Sequence, residues 1–193
     1  MRAPCLRPAG TAAVAAVTDR ATVVAKTDIP SASAVRALQA RTNYWDAYEV
    51  DVPGRAPSAL HAYLAFAQRT PKWIDFLMAI RNGAVRLLGL KDVGNLADVP
   101  PPSAASTLKP GDRVGIFTIR SVCDGEAVLE IIDSHLDVVL SVYRHDGAPQ
   151  RLTVSTLVFY HNAVGRLYML PVGPMHRLVV RSILSNHPMQ MAT

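Results

Sequence analysis

From Asp133 to Leu184 the chain reads DSHLDVVLSVYRHDGAPQRLTVSTLVFYHNAVGRLYMLPVGPMHRLVVRSIL. Leu136 to Arg144 is an apolar, β-branched run. The Asp146-Gly147 pair is a two-residue turn, and Gln150 to His161 runs back as a second strand. Polar residues then gather at His161-Asn162, and the period changes to that of a helix. Asn162 is suited to cap it, because an asparagine oxygen can accept from the free N–H groups of a first turn.

Working back toward the N-terminus, Asp133-Ser134 turns the chain into Leu136. Glu126 to Ile132 precedes it as a strand, and Asp124-Gly125 is a hairpin turn of the kind that needs positive φ. Arg113 to Val122 reads as one continuous strand. Successive hairpins put alternate turns at opposite ends of a sheet. Asp133, His135 and His161-Asn162 should therefore share one edge, with His135 opposite Tyr160 or His161 and Val139 near Thr156. Neighbouring strands lie about 4.8 Å apart, so the two histidines come within reach of each other.

Further upstream, Ser31 and Ser33 offer caps for a short helix over AVRALQA. Tyr44 to Val50 alternates as a strand that ends at Pro53-Gly54. PSALHAYLAFAQ follows as a helix with Leu60, Leu64 and Ala67 on one side. After Pro71 a second helix shows an apolar stripe of Trp73, Leu77, Ile80, Ala84, Leu87 and Leu88, closing at Gly89 or Asn95. Residues 91–110 are rich in proline and read as a connecting loop. In the last helix, Leu167, Leu170, Met175, Leu178, Val179 and Ile183 form the expected sheet-facing stripe, and Arg166, Arg177 and Arg181 the wet side. Proline inside a helix removes a hydrogen bond and crowds the preceding turn, so the helix should bend or restart at Pro171-Val172-Gly173-Pro174.

The 193 residues suffice for one domain with a core and are short for two. Half are hydrophobic and 18% are charged, a globular balance. The expected layout is a disordered tail over 1–26, a single α+β domain over 27–187, and a short tail over 188–193. Cys5 and Cys123 form no metal or redox spacing, which points to a reduced, cytoplasmic protein. The net charge is +5. Between Arg144 and the C-terminus five arginines stand against one acid, Asp146, but they fall singly without interleaved aromatics, which argues against nucleic acid. No apolar run reaches the ~18 residues of a membrane span.

The rim at His135 supports three chemistries. Asp133, His135, Asp137 and His161 are metal-ligand types, but they lack the tight spacing of a known metal motif, and no metal or cofactor is expected. As an acid/base site, His135 would act with Asp133 or Asp137, and His161 is a further catalytic candidate. The third account is turn and cap chemistry alone. Asn162, Tyr168 and His176 along the last helix are candidates for ligand binding.

The order strand, two helices, antiparallel meander and long terminal helix is similar to the helix-grip fold of START-like and polyketide-cyclase-like (SRPBCC) proteins. That resemblance implies an apolar ligand cavity between sheet and helix. The stretches DAYEVDVP from Asp46, RLLGL from Arg86, GDRVGIF from Gly111, DSHLDVVLSV from Asp133 and STLVFYHNAVGRLYMLPVGPMHRLVV from Ser155 resemble the bacterial domain of unknown function 2867, over residues 28–187. The resemblance implies that Asp133, His135, Asp137, His161, Asn162 and His176 match the family's motif. It also implies an oxidoreductase partner, since members of that family occur alone or attached to epimerase-like dehydrogenase domains. No Rossmann glycine pattern is present, so the stand-alone form is expected here. The leading function is binding of an apolar or amphipathic small molecule between sheet and terminal helix. The alternatives are a cyclase, isomerase or hydrolase using a His-Asp pair, and an accessory module for a dehydrogenase-like partner.

Overall fold

The computed structural model of the chain describes residues 24–52, 55–87, 96–147 and 149–186. Seven strands form one antiparallel sheet: β1 (Val24–Lys26), β2 (Tyr44–Val52), β3 (Arg113–Val114), β4 (Phe117–Val122), β5 (Glu126–Ile132), β6 (Leu136–Arg144) and β7 (Gln150–Tyr160). Their order across the sheet is β1-β2-β7-β6-β5-β4-β3. Helices α1 (Ala59–Ala67), α2 (Lys72–Leu87) and α3 (Ala163–Ser185) complete the α+β fold, with short 3-10 turns at Arg36–Arg41 and Pro102–Ser106.

Two strands exceed the sequence reading. Val24–Lys26, expected to end a disordered tail, instead pairs with Tyr48–Val50 of β2. The run expected as one strand from Arg113 to Val122 folds on itself at Gly115, whose φ of 62° only glycine adopts readily. Conversely, Gly125 is not at positive φ, so the Asp124-Gly125 turn closes with ordinary backbone, Cys123 N–H donating to the Glu126 carbonyl at 2.9 Å. The remainders of the expected tails, over 1–23 and 188–193, lie outside the described residues, as do Leu88 to Asn95.

Side-chain alternation gives the sheet two covered faces. On one, Tyr48, Val50, Val52, Leu129, Val142 and Leu152 pack with α1 residues Leu60, Leu64 and Phe66 and with Val180 and Leu184 of α3. Leu60, Leu64 and Ala67 are buried as their spacing predicts, and Ser58 caps α1 by accepting from the His61 N–H. In α2, however, Trp73 is exposed and Ile74 is buried in its place. The other face is covered by the segment leading into β2: Ile29 and Val35 pack on Ala47, Val128, Val139 and Leu157, with Leu38 and Phe159 at the margin.

A polar staple fixes that cover. Glu126 is buried and accepts from Ser33 Oγ and Ser141 Oγ, both at 2.6 Å, and from the Ala34 N–H at 2.8 Å. Ser33 therefore serves mainly the sheet rather than capping an α-helix, and the AVRALQA region is only a 3-10 turn.

Helix α3 continues as one helix through Pro171 and Pro174, so it does not restart there. Both prolines lie on the solvent side, where the carbonyls they leave unpaired can meet water. The stripe facing the sheet is also not the leucine stripe. Gly165, Met169, Gly173, Val180 and Leu184 are buried, whereas Leu167, Leu170, Met175 and Leu178 point outward.

Candidate functional site

The turn arithmetic holds at the rim. Leu136 pairs with Tyr160, and the His161 N–H donates to the His135 carbonyl at 3.0 Å. Val139 stands opposite Leu157, one residue from the expected partner. Much of the rim is turn and cap chemistry. Asp133 Oδ1 accepts from the Ser134 N–H at 2.6 Å. Asn162 Oδ1 accepts from the Gly165 N–H at 3.2 Å, and its Nδ2 donates to the Ser134 carbonyl at 3.1 Å.

The two histidine side chains part company. His135 is 2% exposed, with its ring edge-on to Tyr168 at 5.4 Å. Its Nδ1 lies 3.5 Å from Asp133 Oδ2, an ion-pair separation without hydrogen-bond alignment, and neither ring nitrogen has a hydrogen bond among the described residues. Gly165 seals the site: a Cβ there would lie 2.2 Å from the His135 carbonyl oxygen. A general base must reach a substrate proton, and His135 is closed off from one. Asp137 does not join it, for its Oδ2 is 3.1 Å from Nε2 of the half-exposed His161. No three His, Cys, Asp or Glu side chains converge on a metal position among the described residues.

Asp137 instead helps line a cleft of about 290 Å³ on the sheet face away from α3, with Leu38, Arg41, Arg120, Glu130, Ile132, Val139 and Phe159. Its local origin is twofold. The 3-10 turn at Arg36–Arg41 overhangs the sheet margin. A bulge in β4 leaves Arg120 without a partner across the ladder, which re-aims a side chain. Arg120 is 3.4 Å from Glu130 across the strands. Arg41 makes no ion pair with any described residue. Asp137 Oδ1 is shielded from solvent and has no donor among the described residues.

Of these lining residues, only Asp137 was a sequence candidate. The others carried one usable signal. Val139, Leu157 and Phe159 are apolar on the face that the meander would show to water, so that face had to be covered.

The remaining candidates sit elsewhere. Tyr168 flanks His135. His176 faces β2 and β7, with Nε2 at 3.2 Å from Thr156 Oγ1 and 3.5 Å from Asp46 Oδ1. Tyr44 donates from its hydroxyl to Asp46 Oδ2 at 2.6 Å. Burial first, then the Asp46 carboxylate, hold the Tyr44 hydroxyl well above its ordinary pKa. The contacts of His176 with Thr156 and Asp46 tie the middle of α3 to the sheet.

No curated protein and no solved structure matches the chain. The family DUF2867, described as a protein of unknown function, matches residues 38–183. That span includes every cleft residue, both rim histidines and nearly all of α3. The chain belongs to the DUF2867 family.

Proposed function

We propose that the chain binds a small amphipathic anion in the cleft between the Arg36–Arg41 turn and strands β5, β6 and β7. The carrying observation is a guanidinium that makes no ion pair with any described residue, Arg41, beside an apolar wall of Leu38, Ile132, Val139 and Phe159. Such a mixture suits a ligand with a flat apolar body and one negative group. The sequence reading put the ligand between sheet and α3. Near the rim that interface is close-packed by Leu136, Val158 and Met169, so the outer cleft supports ligand binding better. A helix-grip relationship is supported by the order β2, α1, α2, five-strand meander, α3, with α3 laid on the sheet.

8-Anilinonaphthalene-1-sulfonate, an aromatic anion, tests this reading. Saturable one-to-one binding is expected, weakened roughly tenfold or more by Arg41→Ala, since a charge-assisted hydrogen bond is worth about that factor. Phe159→Ala should weaken it too, and Leu178→Ser on α3 should leave it unchanged. Binding indifferent to both cleft substitutions would refute the proposal.

A second reading, acid/base chemistry, is supported by the His161–Asp137 pair, because Asp137 belongs to the cleft wall while His135 is enclosed. The NMR ring resonances of His161 should move on ligand addition, and Asp137→Asn should abolish that movement. Unmoved resonances confine the cleft to binding.

A further inference from the structure

Helix α3 is apolar on two opposite sides. One side, Gly165, Met169, Gly173, Val180 and Leu184, is spent on the sheet and α1. The other carries Val164, Leu167, Met175 and Leu178, with Leu170 beside them on the arginine flank; Leu167, Leu170 and Leu178 are 68%, 70% and 60% exposed. Pro171 and Pro174 are exposed among them. A residue turns about 100° around a helix axis, so Leu167, Pro171, Pro174, Met175 and Leu178 fall into one ridge, roughly opposite Met169 and Gly173. From Val164 to Leu178 the ridge is about 21 Å long at ~1.5 Å per residue. Singly exposed apolar residues are ordinary, but a continuous row of long ones marks a contact surface.

The charges indicate what covers it. Between Ala163 and Ser185 there are three arginines, 166, 177 and 181, and no aspartate or glutamate. All three are exposed and border the ridge on one flank. A second copy is a poor occupant. An antiparallel pair centred on the ridge, between Pro171 and Val172, places Arg166 of one copy opposite Arg177 of the other, with no acid on either helix to offset them. A negatively charged surface suits the flank instead. The ridge is also convex: it rises from a single helix and offers no groove of its own. A bilayer interface takes up a convex row of leucines without a matching cavity, whereas a protein would need a groove built for it.

We infer that the outer face of α3 docks on an anionic lipid surface, with Leu167, Leu170, Met175 and Leu178 entering the acyl boundary and the arginine flank meeting the headgroups. The helix lies on the bilayer and does not cross it; no described helix is long and apolar enough to do so. This surface is separate from the cleft, which opens on the other face of the sheet.

Co-sedimentation of the full chain with phosphatidylcholine vesicles, with and without phosphatidylglycerol, tests the inference. Each arginine at the surface is worth roughly a fivefold factor, so binding should be at least about tenfold tighter to the anionic vesicles and should weaken with salt. Two variants dissect it: Leu167→Ser with Leu170→Ser and Leu178→Ser, and Arg166→Glu with Arg181→Glu. Both should lose sedimentation while keeping the wild-type circular dichroism and melting temperature, because the side chains are on the surface. Absence of binding at low salt overturns the inference. So does binding that survives the leucine changes, which would reduce it to charge alone. A concentration-dependent dimer abolished by the leucine changes, or an acidic protein captured through the same leucines, would give the ridge to another occupant and likewise overturn it.

Discussion

At the scale of single residues, Gly165 is the most closely approached of the described glycines. Any Cβ there meets the backbone carbonyl of His135, an atom that cannot swing away as a side-chain tip can. Gly165→Ala should therefore cost about 2–3 kcal/mol in urea denaturation, at the upper end of overpacking effects, and a cost below about 0.5 kcal/mol would mean that α3 shifts freely. His135 poses the opposite case. Its buried ring nitrogens lack hydrogen bonds, and an orphaned buried polar group costs about 1–3 kcal/mol. His135→Leu should leave stability unchanged or raise it by about 1 kcal/mol; a marked loss would give the imidazole a polar role. His145 supplies a pH effect. Burial lowers its pKa below the ordinary 6.5, and its Nε2 lies 2.8 Å from Thr153 Oγ1. The unfolded chain then binds the proton more readily, so the stabilisation is complete above about pH 6.5 and is lost as pH falls through the lower, folded-state value. His145→Gln should flatten the fall in urea midpoint between about pH 7 and 5 relative to wild type.

At the scale of elements, α3 shows what could and could not be read from the chain. Its start at Asn162, its direction and its place beside the sheet were legible, because capping is local and hairpins count themselves. Its rotation was not. Leu167, Leu170 and Leu178 look like core residues, yet the helix turns its glycines to the sheet, since Gly165 allows the backbone to come close and His176 finds Thr156 and Asp46 there. Docking distance, a tertiary property, outweighed side-chain size. The prolines failed as breakers for the related reason that both face water. Pro174→Ala should restore one helical hydrogen bond and raise stability by about 1–3 kcal/mol, as measured by thermal or urea denaturation. No gain would show that the proline-adapted backbone is itself required by the packing.

At the scale of the molecule, the meander and the shared rim of His135 and His161 followed from turns, which are encoded in two or three residues each. The cleft did not, because it depends on a segment some eighty residues earlier, held over the sheet by Ser33, Ala34 and Glu126. Amide exchange should rank the sheet accordingly, slowest in β6 and β7 at its middle. The sheet's two outermost strands are β1, three residues long, and β3, two residues long. Strands this short offer another chain only a short template for strand addition. Taking away residues 1–26 would strip the partner from Tyr48–Val50 and leave the nine-residue β2 as the border strand. A truncated chain that folds yet polymerises would show that the three residues of β1 serve as a guard against fibre growth.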